Sequence, residues 1–355
     1  QSRGADTGPL VRPAGGGGMS NATTTPSAPP VPAVSGGGSR RPRLSGMTWL
    51  IWRQHRAAFW TMLALTALAV AWMLYQRAGL LDHLTAKGWP RSSPDTWMED
   101  ITPYSAALAK ASLGLGFVPV LLGVFLGAPL LAGDLESGTA KLVTTQAASP
   151  ARWLAAKIGI TALVVVVCTV AVSFTFGRWW APVSRQNTVL DWTSGGFDNT
   201  GPVPVALALF TVLGGVAIGM VLRRTLLSMV VTFFFAVAVQ VAWGQYRLDL
   251  GHVVRITTDS GVDGGPPSLP TAAYEIDQSF VTSSGETLGW STCVHAGPEK
   301  AVEACRQQKG IVGWAVDYLP ISQMSGMQWL GASILFALAA AVTAFVFLWG
   351  RKRVV

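Results

Sequence analysis

The chain has 355 residues, half of them apolar and only 12% charged, against the roughly 25% charged of a soluble domain. With 15 Trp, 14 Phe and a mean hydropathy of +0.41, the composition excludes a disordered or collagen-like chain and an ordinary cytosolic enzyme. A formal charge of +8 fits either a nucleic-acid surface or a membrane topology, and the order of the residues decides between them.

Residues 1–45 are rich in Gly, Pro, Ser, Thr and Ala, so they read as a disordered tail that buries too little surface to order itself. Met19 and Met47 both read as starts, and nothing before Leu50 has the apolar core of a secretory signal. In residues 46–56, Trp49, Trp52 and His55 recur at spacings of three while Arg53 and Arg56 point elsewhere. That pattern predicts a short helix lying in the cytoplasmic interface ahead of the first span. Crossing about 30 Å of hydrocarbon takes roughly 20 helical residues. Six uncharged runs have about that length: Ala57–Tyr75, Ser112–Ala132, Ile158–Phe176, Val203–Leu222, Leu226–Trp243 and Met327–Trp349. The predicted fold class is an all-α integral membrane protein of six transmembrane helices, with spans one to five inside 57–243 and the sixth at 327–349.

The second run carries Gly114, Gly116, Gly123 and Gly127 with Pro119 and Pro129. Close packing is expected through Gly123 and Gly127 and bends at the prolines, as suits a helix that lines a pathway. Gly215 and Gly219 repeat the spacing in the fourth run, where plain helix packing is the expectation. No run contains an ionisable residue other than Cys and Tyr, and Gln240 near the end of the fifth stands out among the polar side chains inside them. Ion-coupled transport commonly needs a titratable group at the membrane midplane, so its absence weakens that mechanism.

Residues 133–157, GDLESGTAKLVTTQAASPARWLAAK, are too long for a tight turn and too polar for lipid. Asp134 and Glu136 stand at the end of the second run, and Ser149 with Pro150 reads as the cap and first residue of a new helix. Such a segment either docks a cytosolic partner or is a solvated linker. Residues 244–326 form a long loop, Gly- and Pro-rich at first and more structured in composition from Thr271 to Pro320, so a small extracellular subdomain is expected there. Cys293 and Cys305 lie within it on the oxidising side, which predicts a disulfide worth roughly 3 kcal/mol by loop closure. With His295 they make only three ligands, so a metal is not expected. Residues 350–355 form a basic cytoplasmic tail.

With both termini in the cytoplasm, the inside segments from Arg40 onward hold 13 Lys and Arg against two acids, Asp134 and Glu136, the outside loops hold 11 basic and 15 acidic residues, and the remote tail adds Arg3, Arg12 and Asp6. The positive-inside rule thus accounts for the net charge, and no nucleic-acid partner is expected. There is no GxxxxGK[ST], no GxGxxG opening a helix, no GxSxG and no HExxH, and the four His are dispersed. A non-catalytic chain without a cofactor of its own is the expectation.

Four stretches, MTWLIWRQHRAAFW, DLESGTAKLVTTQAASPARWLAAK, IVGWAVDYLPISQMSGMQWL and the terminal FLWGRKR, together with the span layout, resemble permease subunits of ABC transporters of the type 2 export class. The likeness is to the six-span form common in actinobacteria and covers about residues 47–355. It implies a multi-pass protein of the bacterial plasma membrane, paired with a second permease copy or a paralogue. A separate cytosolic ATPase subunit would hold the ATP and Mg. The resemblance further implies that the segment after the second span is a coupling helix, assigning Asp134, Glu136, Gly138 and Thr139 to it, with Trp153 at the membrane re-entry. Family members often carry Arg-Glu where this chain has Gly133-Asp134, so a base is lost here. Trp49–Arg56 would be the connecting helix and the loop before the sixth span an extracellular cap. The expected activity is ATP-driven export of an amphipathic or hydrophobic small molecule, a drug, lipid or peptide. A membrane-anchored sensor and an ion-coupled secondary transporter remain as the other readings.

Overall fold

The computed structural model describes residues 47–138, 149–186, 189–258 and 261–353. Six stretches in it have the length and apolarity to cross a membrane: Ile51–Ala86, Thr102–Glu136, Ala151–Val183, Val203–Leu222, Thr225–Tyr246 and Ile321–Gly350. Each contains one of the uncharged runs and most extend well beyond it. The first span is α1 (Met47–Ala86), and a short α2 (Pro94–Trp97) follows. The second span is assembled from α3 (Thr102–Gly116), α4 (Val118–Leu122), a π-helical turn at Gly123–Gly127 and α5 (Ala128–Glu136). The third is α6 (Pro150–Trp180); a helical turn α7 (Phe197–Asn199) precedes the fourth, α8 (Val203–Leu222), and the fifth, α9 (Thr225–Tyr246). An amphipathic α10 (Glu299–Gln308) and the sixth span, α11 (Met324–Arg353), complete the helices.

Two expectations are corrected here. The helix predicted for 46–56 is not separate, because α1 runs unbroken for 40 residues with no proline and a single glycine to interrupt it. The chain is also not all-α. Between the fifth and sixth spans lies a four-stranded antiparallel sheet of β1 (Val254–Thr258), β2 (Tyr274–Thr282), β3 (Thr287–Gly289) and β4 (Ile311–Leu319), in the order β1-β4-β2-β3. Its first strand precedes the structured stretch expected from Thr271. The alternation in VRITT, with Arg255 and Thr257 outward, is the period of a half-buried strand. The sheet packs Phe280 against Trp314 with ring centroids 4.3 Å apart.

Among the six spans α8 is the most buried and α1 the least. Exposed apolar side chains such as Leu65 and Leu68 on α1 and Phe234 and Val241 on α9 fit a lipid-facing surface. The second and fourth spans meet backbone to backbone. A Cβ on Gly127 would lie 2.4 Å from the Val212 carbonyl oxygen, one on Gly219 would lie 2.4 Å from that of Ala128, and one on Gly215 would lie 2.6 Å from that of Gly123. The two small-residue stripes therefore interlock, and the π turn sits at the contact. Thr211 of α8 donates to the Pro119 carbonyl at 2.8 Å, beside the proline break. The alternating spans leave two distinct ends: a basic end, where the second span passes toward the third, and a sheet end.

Candidate functional site

At the basic end one carboxylate gathers three spans. Asp134, close to the end of α5, is buried and ion-paired with Lys157 of α6, whose side chain has no exposure at all. Gln54 of α1 donates to the other oxygen of Asp134 at 2.8 Å. Lys157 also lies 5.2 Å from the ring centroid of Trp153, which is itself buried against the bundle core. Asp134 and Trp153, assigned to a partner-facing motif by the resemblance, are thus turned inward and hold the bundle together. Lys157, counted among the cytoplasmic charges, is a buried helical residue. Trp52 and Arg53 share the same end of α1, where Trp52 stacks near Phe59 at 5.3 Å and Arg53 lies over Trp49 at 5.2 Å.

Glu136 is exposed and makes a different connection. Its Oε2 accepts the backbone N–H of Thr225 at 2.8 Å, across 89 residues of sequence. The reason is local. Helix α8 stops where Arg223 takes a left-handed conformation at φ 56°, and α9 begins after Arg224 with no side-chain cap of its own. Glu136 of the second span supplies that cap, placing a carboxylate at the electropositive start of the fifth. Gly138 has φ +72°, a conformation glycine adopts freely. Thr139 lies outside the described residues. The third span restarts as the Ser-Pro pair predicts, with the Ser149 hydroxyl accepting the Arg152 N–H at 3.3 Å and Pro150 at the first helical position.

Above this end a cavity of about 560 Å³ opens between α1, the second span, α6 and α8, reaching Gln240 of α9. Its walls are apolar, with Leu65, Leu122, Phe125, Cys168 and Val172 among them, and Pro119 and Gly116 border it at the proline break. The hydroxyls of Thr61 and Thr169 donate into their own helices, to Ala58 at 2.9 Å and Val165 at 2.8 Å, and so add little polarity. Polar groups collect at the sheet end. Gln240 donates to the Gly116 carbonyl at 2.8 Å, and Asn199 donates to the Ser112 hydroxyl at 3.0 Å and the Gly195 carbonyl at 3.1 Å. Asp198 is ion-paired with Arg247 and accepts the Trp243 indole N–H at 2.8 Å.

The sheet end is largely absent from the sequence reading. Residues 191–199 read there as loop, yet Trp192 and Phe197 are wholly buried and a π-helical turn, Trp192–Gly196, leads into α7. Gln328 of the sixth span, buried and donating to the Phe197 carbonyl at 2.8 Å and the Thr200 carbonyl at 3.0 Å, has no counterpart in it either. The available signal was the pair of large aromatics in a short loop, too apolar to be solvated. Within the sheet unit, Cys293 and Cys305 are joined in a disulfide with a Cα separation of 5.8 Å. Arg255 of β1 and Asp317 of β4 face each other in register and make a two-pronged pair at 2.6 and 2.7 Å. The guanidinium holds the Asp317 carboxyl below the usual carboxylate range by hydrogen bonding to it.

Residues 63–247, more than half of the chain, match the family described as ABC-2 membrane transporter related. The chain belongs to that family. The matched region runs from within α1 to just past α9, so it includes the buried Asp134–Lys157 pair, the Glu136 cap and all of the cavity lining except Ala58, Thr61 and Met62. Comparison with curated proteins and with solved structures finds no match. The protein is therefore an ABC-2 type permease and a multi-pass protein of the bacterial plasma membrane. Permeases of this family are in general non-catalytic membrane subunits that work with a partner ATPase.

Proposed function

We propose that the chain is the permease subunit of an ATP-driven exporter, forming the pathway for an amphipathic or hydrophobic small molecule. Its basic end faces the cytoplasm and meets a separate ATPase subunit, its sheet unit lies outside as a cap, and it works with a second permease copy or a paralogue. The orientation is supported by the bias of Lys and Arg toward the basic end and by a disulfide in the sheet unit. The observation that carries the reading is the hydrogen bond from the Thr225 N–H to Glu136. The chain leaves the second span at Glu136 while that same residue caps the fifth, and Asp134 two residues earlier is fixed to α1 and α6. Force applied by an ATPase to the segment beyond Glu136 is transmitted at once to the second and fifth spans. Both border the cavity, and the second contains the proline break and π turn at which a helix changes shape most easily. Nucleotide-driven closure of the ATPases then biases the spans between two arrangements of the cavity.

The test pairs the purified chain with its partner ATPase. Glu136→Ala removes the cap that ties the second span to the fifth, so transport per ATP hydrolysed is expected to fall. Unchanged coupling in Glu136→Ala would contradict the reading.

A further inference from the structure

We propose that the cavity selects uncharged amphipaths whose head groups donate hydrogen bonds, such as fatty alcohols and glycerol monoesters. The inference rests on the permease reading only in taking the cavity as part of the transport path. A volume of about 560 Å³ falls in the roughly 300–1,000 Å³ range of small-molecule sites. Its amide and carboxylate groups lie at the sheet end, and elsewhere threonine hydroxyls such as those of Thr61 and Thr169, bonded within their own helices, interrupt apolar walls, which suits one hydrocarbon tail and one head.

The head's chemistry follows from which polar atoms are already used. The amide nitrogen of Gln240 is committed to the Gly116 carbonyl, and that of Asn199 to Ser112 and Gly195. These partners fix how each amide is turned, because a carbonyl oxygen placed against a carbonyl gains nothing. The amide oxygens Oε1 of Gln240 and Oδ1 of Asn199 accept no hydrogen bond among the described residues. What the lining offers a ligand here is therefore acceptors, which call for a hydroxyl or N–H donor. The ionised lining side chain, Asp198, is neutralised by Arg247 and further occupied by Trp243. A charged head entering this site would give up its water without gaining a counter-ion, a loss that an uncharged head avoids.

The experiment uses the full chain in lipid nanodiscs, without ATPase or nucleotide, and a monoacylglycerol carrying a photoreactive group in its tail. Competitors of equal chain length are the unlabelled glycerol ester, the methyl ester, the carboxylate and the trimethylammonium. Labelling of peptides from α1 and α6 is expected, with the glycerol ester displacing the probe roughly three- to tenfold better than the methyl ester, as one or two buried hydrogen bonds allow. Both charged competitors are expected to be at least about tenfold weaker than the glycerol ester. Gln240→Leu is expected to narrow the margin between the two esters, and Thr169→Phe, which fills the cavity wall, to reduce labelling by every probe. Absence of labelling in the native chain, a charged competitor matching the glycerol ester, or labelling unchanged by Thr169→Phe would overturn the proposal. So would an undiminished ester margin in Gln240→Leu. No step depends on ATP, so failure here leaves the Glu136 coupling test standing, and failure of that test leaves this one.

Discussion

Each end of the helical bundle is tied by one carboxylate and one cation, and the surroundings of the two pairs differ. At the basic end the Lys157 side chain is 0% exposed and that of Asp134 12%, whereas at the sheet end Arg247 and Asp198 keep 15% and 25% exposure. A wholly buried cation makes its partner indispensable even where the pair adds little net stability, since losing one member strands the other away from water. A pair with access to solvent is rehydrated when it separates. Separating the pair is therefore costly at the basic end, and the sheet end is where rearrangement costs less.

Lys157→Met is expected to sharpen that contrast most, destabilising the protein by about 3–5 kcal/mol because it breaks a buried ion pair. Asp198→Asn is expected to cost distinctly less in the same thermal unfolding measurement, and equal losses would break the contrast. The double change Lys157→Met with Asp134→Leu is expected to recover much of the stability. Next in size, replacing Cys293 with Ser removes a cross-link closing a short loop and is expected to cost roughly 3 kcal/mol. Hydrogen exchange should then rise in β2, β4 and α10 while the amides around Asp134 and Lys157 keep their protection. Gly127→Ala would drive a methyl to 2.4 Å from the Val212 carbonyl oxygen, so the second and fourth spans must part, at about 1–3 kcal/mol. Its effect should appear as a lower unfolding temperature with the sheet unit unaffected.

The smallest effect is a pH dependence confined to the sheet. Arg255 depresses the Asp317 pKa in the folded state, so the pair's contribution is present above the unfolded carboxylate value of about 3.9. It is lost as pH falls through the lower folded value. Because Arg255 is half exposed, the contribution lies within the roughly 1 kcal/mol of a solvent-screened pair. Acid titration of Asp317→Asn should lack this component, and identical profiles would remove the pair from the account.

The six spans were legible because crossing hydrocarbon demands length and apolarity, and sequence displays both directly. Their ends were not. The uncharged runs end at the first ionised residue, short of Lys110 in the second span and of Lys157 in the third, although both lie within helices. Burial of Lys157 depends on Asp134 and Gln54 arriving from other spans, a coincidence of packing that no local pattern announces. Similarly, Glu136 stood out through resemblance, but its partner Thr225 is distant in sequence and is contacted through its backbone, which carries no side-chain signature. Trp243 ends the fifth uncharged run, and the structure turns it inward to Asp198, a contact its position in the sequence does not announce. The strand β1 was hidden by the Gly- and Pro-rich stretch that follows it.

Reconstitution into liposomes tests directly whether this chain is a gate moved by a separate motor. Vesicles carrying the permease together with its ATPase and ATP are expected to accumulate a fluorescent glycerol monoester, and vesicles carrying the permease alone are expected only to equilibrate it. Concentration of that solute by the permease alone, with no ATPase present, would contradict the claim.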